Sequence, residues 1–205
     1  LYLLLEAFKK QRVQNVYTVY SDYIAQWKWP RKIEAHGAHL HEIFTDDREK
    51  KHREAKHIKC QASDCLSLVA VTAMFVVNVL MKLEGVDCRK HCNAFLALVD
   101  VIELIDASAR VIVQAQQLLQ RCETFLQLFK DTWGIEWMTT KFHWLLHFHH
   151  QLEGSRFKKL LNCFCLERKH KVPKRYGACL WVKNIYMAPG WPMKAQAGPW
   201  TQATS

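Results

Sequence analysis

Residues 108–134 read SARVIVQAQQLLQRCETFLQLFKDTWG, and their apolar set Val111, Ala115, Leu118, Leu119, Cys122, Phe125, Leu126 and Phe129 follows i, i+4, i+7, i+8, i+11, i+14, i+15, i+18. Steps of three and four gather on one side of a 3.6-residue turn, so the stretch predicts an amphipathic helix over 109–131. Ser108 is placed to start it and Gly134 to end it. On its N-terminal side, Asp87 caps a predicted helix over 88–107. Before that, Ser63 and Asp64 offer N-caps for an apolar helix over 64–83, which Gly85 closes. These three helices are expected to form the core of an all-α fold, an irregular bundle of about six helices.

Composition agrees. The 205 residues include only 7 glycines and 5 prolines, and no proline stands between Pro30 and Pro173. β-Sandwiches and glycine-rich phosphate-binding folds need more turn residues, and neither a Walker sequence nor a G-x-G-x-x-G sequence occurs. With 50% apolar and 23% charged residues the chain can bury a core, which excludes disorder for most of it. Apolar positions over 2–27 recur at helical spacing as one long helix or two short ones, stopped at Trp29 and Pro30. Residues 31–59, rich in Lys50, Lys51, Arg53, Lys56 and Lys59, read as a polar helix or a solvated connector. Thr139 or Thr140 caps a helix through Leu152 ended by Gly154, and 158–171 forms another, broken by Pro173. The expected organisation is an N-terminal helix and charged connector (1–60), a helical core with a basic C-terminal helix (61–176), and a poorly ordered tail (177–205) with Pro189, Pro192 and Pro199.

Charge is unevenly spread. Basic and acidic residues number twelve and eight over 1–60, six and nine over 61–140, and ten and two over 141–183. A late basic block of that kind points to phosphate-rich partners, against the plainer reading of a solvated basic face. Eight cysteines at irregular spacing, with no signal peptide, read as reduced intracellular thiols. The chain opens on Leu1, which reads as a fragment of a longer protein. The uncharged run of 17 residues over 65–81 reaches the lower length for a bilayer span, but Ser67, Thr72 and Asn78 interrupt it and no aromatic belt flanks it. A buried central helix is the reading, with no membrane partner.

Three clusters carry candidate chemistry. His143, His147 and His150 share a helical face at i, i+4, i+7. His143 and His147 are metal candidates, but the sequence HWLLH lacks the glutamate of a zinc protease, and the preferred reading is a pair of hydrogen-bonded packing residues with no metal. Cys163 and Cys165 with His170, and Cys88 and Cys92 with His91, lack the spacing of structural zinc sites and read as buried thiols. Glu167 stands alone among Arg168, Lys169, Lys171, Lys174 and Arg175. It is either the i+4 partner of Lys171 or a metal carboxylate beside a phosphate-gripping cluster.

The sequences KFHWLLH (141–147) and CFCLERKHKVPKRY (163–176), with WKWP (27–30), IKCQASDCLSL (58–68) and CNAFLALVD (92–100), resemble the closing part of transposon-derived, DDE-type transposase-like proteins multiplied in repeat-rich protist genomes. The resemblance covers about 17–177, with Thr140 where the family has proline and Pro173 interrupting the basic helix. It implies a ribonuclease-H-like core upstream and Glu167 as the third acid of a Mg2+-binding set whose two aspartates lie before Leu1. The expected function is a transposase-like fragment in the nucleus, binding DNA through Arg156, Lys158, Lys159, Arg168, Lys169, Lys171, Lys174 and Arg175. It has no cofactor and no catalytic competence by itself, because one carboxylate cannot hold two metals. The alternative is a helical protein-interaction scaffold.

Overall fold

A computed structural model describes residues 1–154 apart from 12, 14, 32, 109 and 110. Among the described residues the chain is all-helical, with α1 (Tyr2–Lys10), α2 (Val16–Ala25), α3 (Glu34–Gly37), α4 (Asp46–Ala55), α5 (Ala62–Asn78), α6 (Arg89–Ala107), α7 (Ala115–Trp133), α8 (Thr140–Leu146) and α9 (Phe148–Gly154). Short 3₁₀ turns fill Leu40–Phe44, Leu80–Lys82 and Ile135–Trp137. The N-terminal apolar pattern is two short helices. Asn15, at φ 58° in the left-handed region that asparagine tolerates, separates them.

Two apolar clusters hold the described residues together. The first joins Leu4, Phe8, Tyr17, Tyr20, Ile24 and Phe44 to Phe75, Val76, Cys92 and Phe95. It therefore runs straight across the expected boundary at residue 60. Within the expected polar connector, Leu40, Ile43 and Phe44 are buried in the first cluster: Leu40 and Ile43 eclipse at i, i+3 of the 3₁₀ turn, and Phe44 at its end packs edge to face on Tyr20. His52 is fully buried on α4. Its Nε2 donates to the Ile43 carbonyl at 2.7 Å and its Nδ1 accepts from the Lys59 amide at 3.0 Å, which ties α4 to the chain on both sides. Replacing His52 with alanine strands both backbone partners and leaves a void. Chemical denaturation should show a loss of about 2–4 kcal/mol.

α5 is stopped earlier and capped earlier than the sequence indicates. Its N-cap is Gln61, whose amide donates to Asp64 Oδ2 at 3.0 Å, so Asp64 acts one turn into the helix. Its C-terminus falls at Asn78, and Gly85 turns the chain after the 3₁₀ segment with φ at +73°. The segment Ala62–Lys82 is long and apolar enough to cross a bilayer by length and composition. One face of α5, Leu68, Val71, Thr72, Phe75 and Val76, enters the first cluster. Thr72 fits there because its hydroxyl donates to the Leu68 carbonyl at 2.7 Å and also hydrogen-bonds the Tyr20 hydroxyl. The opposite face leaves Leu66, Met74 and Val77 exposed.

α6 and α7 make the largest helix–helix contact among the described residues. The second cluster forms around it from Val101, Leu118, Cys122, Phe125, Phe129 and Leu152, so four members of the predicted α7 stripe are buried. The start of α7 is a correction. It begins at Ala115 after N-cap Gln114, while Ser108 caps the C-terminus of α6 and bonds back to the Ile105 carbonyl at 2.6 Å. The β-branched run Val111, Ile112, Val113, poor in helix propensity, lies in the connection between α6 and α7, with Ile112 76% exposed. Gly134, at φ +91°, ends α7 as its sequence indicates.

Candidate functional site

Among the described residues, chemically competent side chains gather on α8 and α9. One continuous helix through Leu152 was expected, but the chain breaks at His147, whose amide donates to the Trp144 carbonyl at 3.1 Å instead of continuing the α ladder. Phe142 takes the inward side of α8, its ring 4.6 Å from Phe129 and 6.0 Å from Phe125. Leu145 and Leu146 pack against the same cluster. With the narrow apolar arc of a seven-residue helix filled in this way, His143 and His147 turn outward and are exposed. The reading of them as packing residues is corrected on this point.

They still bond to each other. His143 Nε2 and His147 Nε2 are 2.9 Å apart, with ring centroids at 4.6 Å. The third histidine of the predicted face, His150, has its ring 6.1 Å from that of His147. Sequence reasoning missed His149 and Glu153. His149 Nδ1 donates to the Leu146 carbonyl, His150 Nδ1 lies 3.6 Å from Glu153 Oε2, and the ligand atoms of His149, His150 and Glu153 fall within 4.8 Å of one another. The i, i+3 spacing of His150 and Glu153 was the available signal.

The described cysteines are free thiols. Cys88 and Cys92 sit in the first cluster and Cys122 in the second. Burial pushes Cys92 and Cys122 up to about 11 and raises Cys88, which opposes thiolate formation and metal ligation. Cys60 Sγ lies 3.0 Å from Cys65 Sγ, and burial followed by that thiol contact pushes Cys60 up to about 12.

His91, between Cys88 and Cys92 in sequence, faces Trp133 at 5.7 Å edge to face. His91 Nδ1 and Trp133 Nε1 are buried polar atoms without a hydrogen-bond partner among the described residues. Burial, then the Lys90 charge, holds His91 below its ordinary value of 6.5. The unfolded chain therefore binds the proton better. Stability should be complete above pH 6.5 and decline as pH falls from there toward the lowered folded value. Thermal unfolding of His91→Leu should lack that component of the acid decline and match or exceed the native chain at neutral pH.

An apolar cleft of about 380 Å³ opens beside the second cluster, lined by Tyr2, Phe95, Phe125, Trp133, Trp137 and Phe142 among others. Glu167 and the basic set Arg156, Lys158, Lys159, Arg168, Lys169, Lys171, Lys174 and Arg175 lie outside the described residues, as do Cys163, Cys165, the expected helix over 158–171 and the tail over 177–205. Comparison of the chain with protein-family models, curated proteins and solved structures gave no match.

Proposed function

We propose that the chain is a DNA-binding module of a transposon-derived, DDE-type transposase-like protein, acting in the nucleus and gripping the phosphate backbone through Arg156, Lys158, Lys159, Arg168, Lys169, Lys171, Lys174 and Arg175. The observation that carries this reading is the segregation of charge. Residues 61–140 hold six basic and nine acidic side chains, whereas 141–183 hold ten and two. Concentrated cations of this kind release condensed counterions from a duplex and bind it without reading sequence. On this reading strand cleavage would need two aspartates besides Glu167 to hold Mg2+, since one carboxylate cannot hold two metals.

The test is fluorescence anisotropy of the full chain on a labelled duplex across a salt series. If all eight named cations reach phosphates, the slope of log K against log salt is about −7. A protein that leaves the duplex unbound at low salt refutes the reading.

The exposed face of α5 supports a second reading, a helical protein-interaction scaffold. Leu66, Met74 and Val77 lie on its outer side at near-helical spacing. A chain that forms salt-insensitive protein complexes and ignores DNA would favour it.

A further inference from the structure

We propose that His143 and His147 are the anchoring chelate of a divalent transition-metal site on the outer surface of α8. The pairing is at i, i+4, the spacing that lets two imidazoles of one helix reach a single ion. Their two Nε2 atoms are 2.9 Å apart. Two nitrogens bound at about 2.0–2.1 Å lie roughly 2.9 Å apart at a right angle and roughly 3.4 Å apart at a tetrahedral angle. That spacing matches the near-octahedral case, and turning the two rings off the N–H···N line brings both Nε2 atoms onto one ion.

In the metal-free pair one Nε2 carries the hydrogen and the other accepts it. Binding moves that hydrogen to Nδ1 of the same ring, so both Nε2 lone pairs face the ion and no net proton is released from two neutral rings. Both rings are exposed, so water reaches the remaining coordination positions. His150, on the next helix and 6.1 Å ring to ring from His147, is the nearest further imidazole of that face. An ion held by His143 in α8 and His147 at its C-cap fixes the joint that leads into α9.

The neighbouring set of His149, His150 and Glu153 is the more open one: His150 Nδ1 lies 3.6 Å from Glu153 Oε2, against 2.9 Å between the Nε2 atoms of His143 and His147. Imidazole donors select nickel, copper or zinc over magnesium, so this site is separate from the Mg2+ chemistry of an intact parent.

Calorimetric titration of the full chain with Ni2+ tests the assignment. One equivalent is expected to bind, with affinity reduced about 10-fold or more in both His143→Ala and His147→Ala, no less than the loss of an outer-shell partner brings. The His149→Ala and Glu153→Gln chains should bind like the native one. In the native chain, bound Ni2+ should broaden the ring-proton resonances of His143 and His147 before those of the other histidines, a readout independent of any variant. The absence of saturable binding, full affinity in both alanine variants, or loss confined to His149→Ala, Glu153→Gln or Cys163→Ser would each overturn it.

Discussion

Truncating Phe75 to alanine should destabilise the protein by about 3–5 kcal/mol, measured by urea unfolding at neutral pH. The ring is fully buried, 4.9 Å from Tyr20 and 5.1 Å from Tyr23 between centroids, and Tyr20 in turn packs edge to face on Phe44 at 4.7 Å. Phe75 thus joins α5 to α2 and to the 3₁₀ turn before α4, and its removal opens a void that three elements must share. Two residues along the same helix, Val77 is exposed. Val77→Ala should stay within about 0.5 kcal/mol of the native chain. Equal losses at both positions would mean that the outer face of α5 is also packed.

The second large effect belongs to DNA binding. Replacing Lys169, Lys171, Lys174 and Arg175 together with glutamine should weaken nonspecific duplex affinity by roughly 10²–10³-fold near 0.15 M salt, because four counterion-releasing contacts disappear. Glu167→Gln should act in the opposite direction. Removing the only carboxylate among those cations raises the local potential, so affinity in metal-free buffer should be equal or tighter. If Glu167 only pairs with Lys171, the variant should also lose about 0.3–0.5 kcal/mol of stability. Under the proposed reading, a longer chain that supplies the two aspartates of the metal set should lose Mg2+-dependent cleavage in Glu167→Gln.

The helical class was legible because the α7 stripe is long and regular. Leu118, Cys122, Phe125 and Phe129 are buried as their spacing demands, and Gly134 ends the helix. Element boundaries were less legible where local chemistry offered two solutions. Ser108 is by type the better helix starter than Gln114, yet its hydroxyl finds the Ile105 carbonyl and closes the preceding helix. Charge masked the contribution of 31–59 to the core. Leu40, Ile43, Phe44 and His52 are few among lysines, arginines and acids, and a buried histidine with two backbone partners leaves no periodic trace. The histidine face was legible as a face, but its direction was not. That depended on Phe142, Leu145 and Leu146 occupying the inward arc of a helix too short to bury both sets.

Whether 141–183 is a nucleic-acid grip is decided by comparing salt slopes on one duplex for the native chain and the Lys169, Lys171, Lys174, Arg175 quadruple variant. The slope of log K against log salt should become shallower by about 3 to 4 in the variant, close to 0.9 for each lost phosphate contact. An unchanged slope would mean that these side chains never reach the phosphates, and the scaffold reading would take the place of DNA binding.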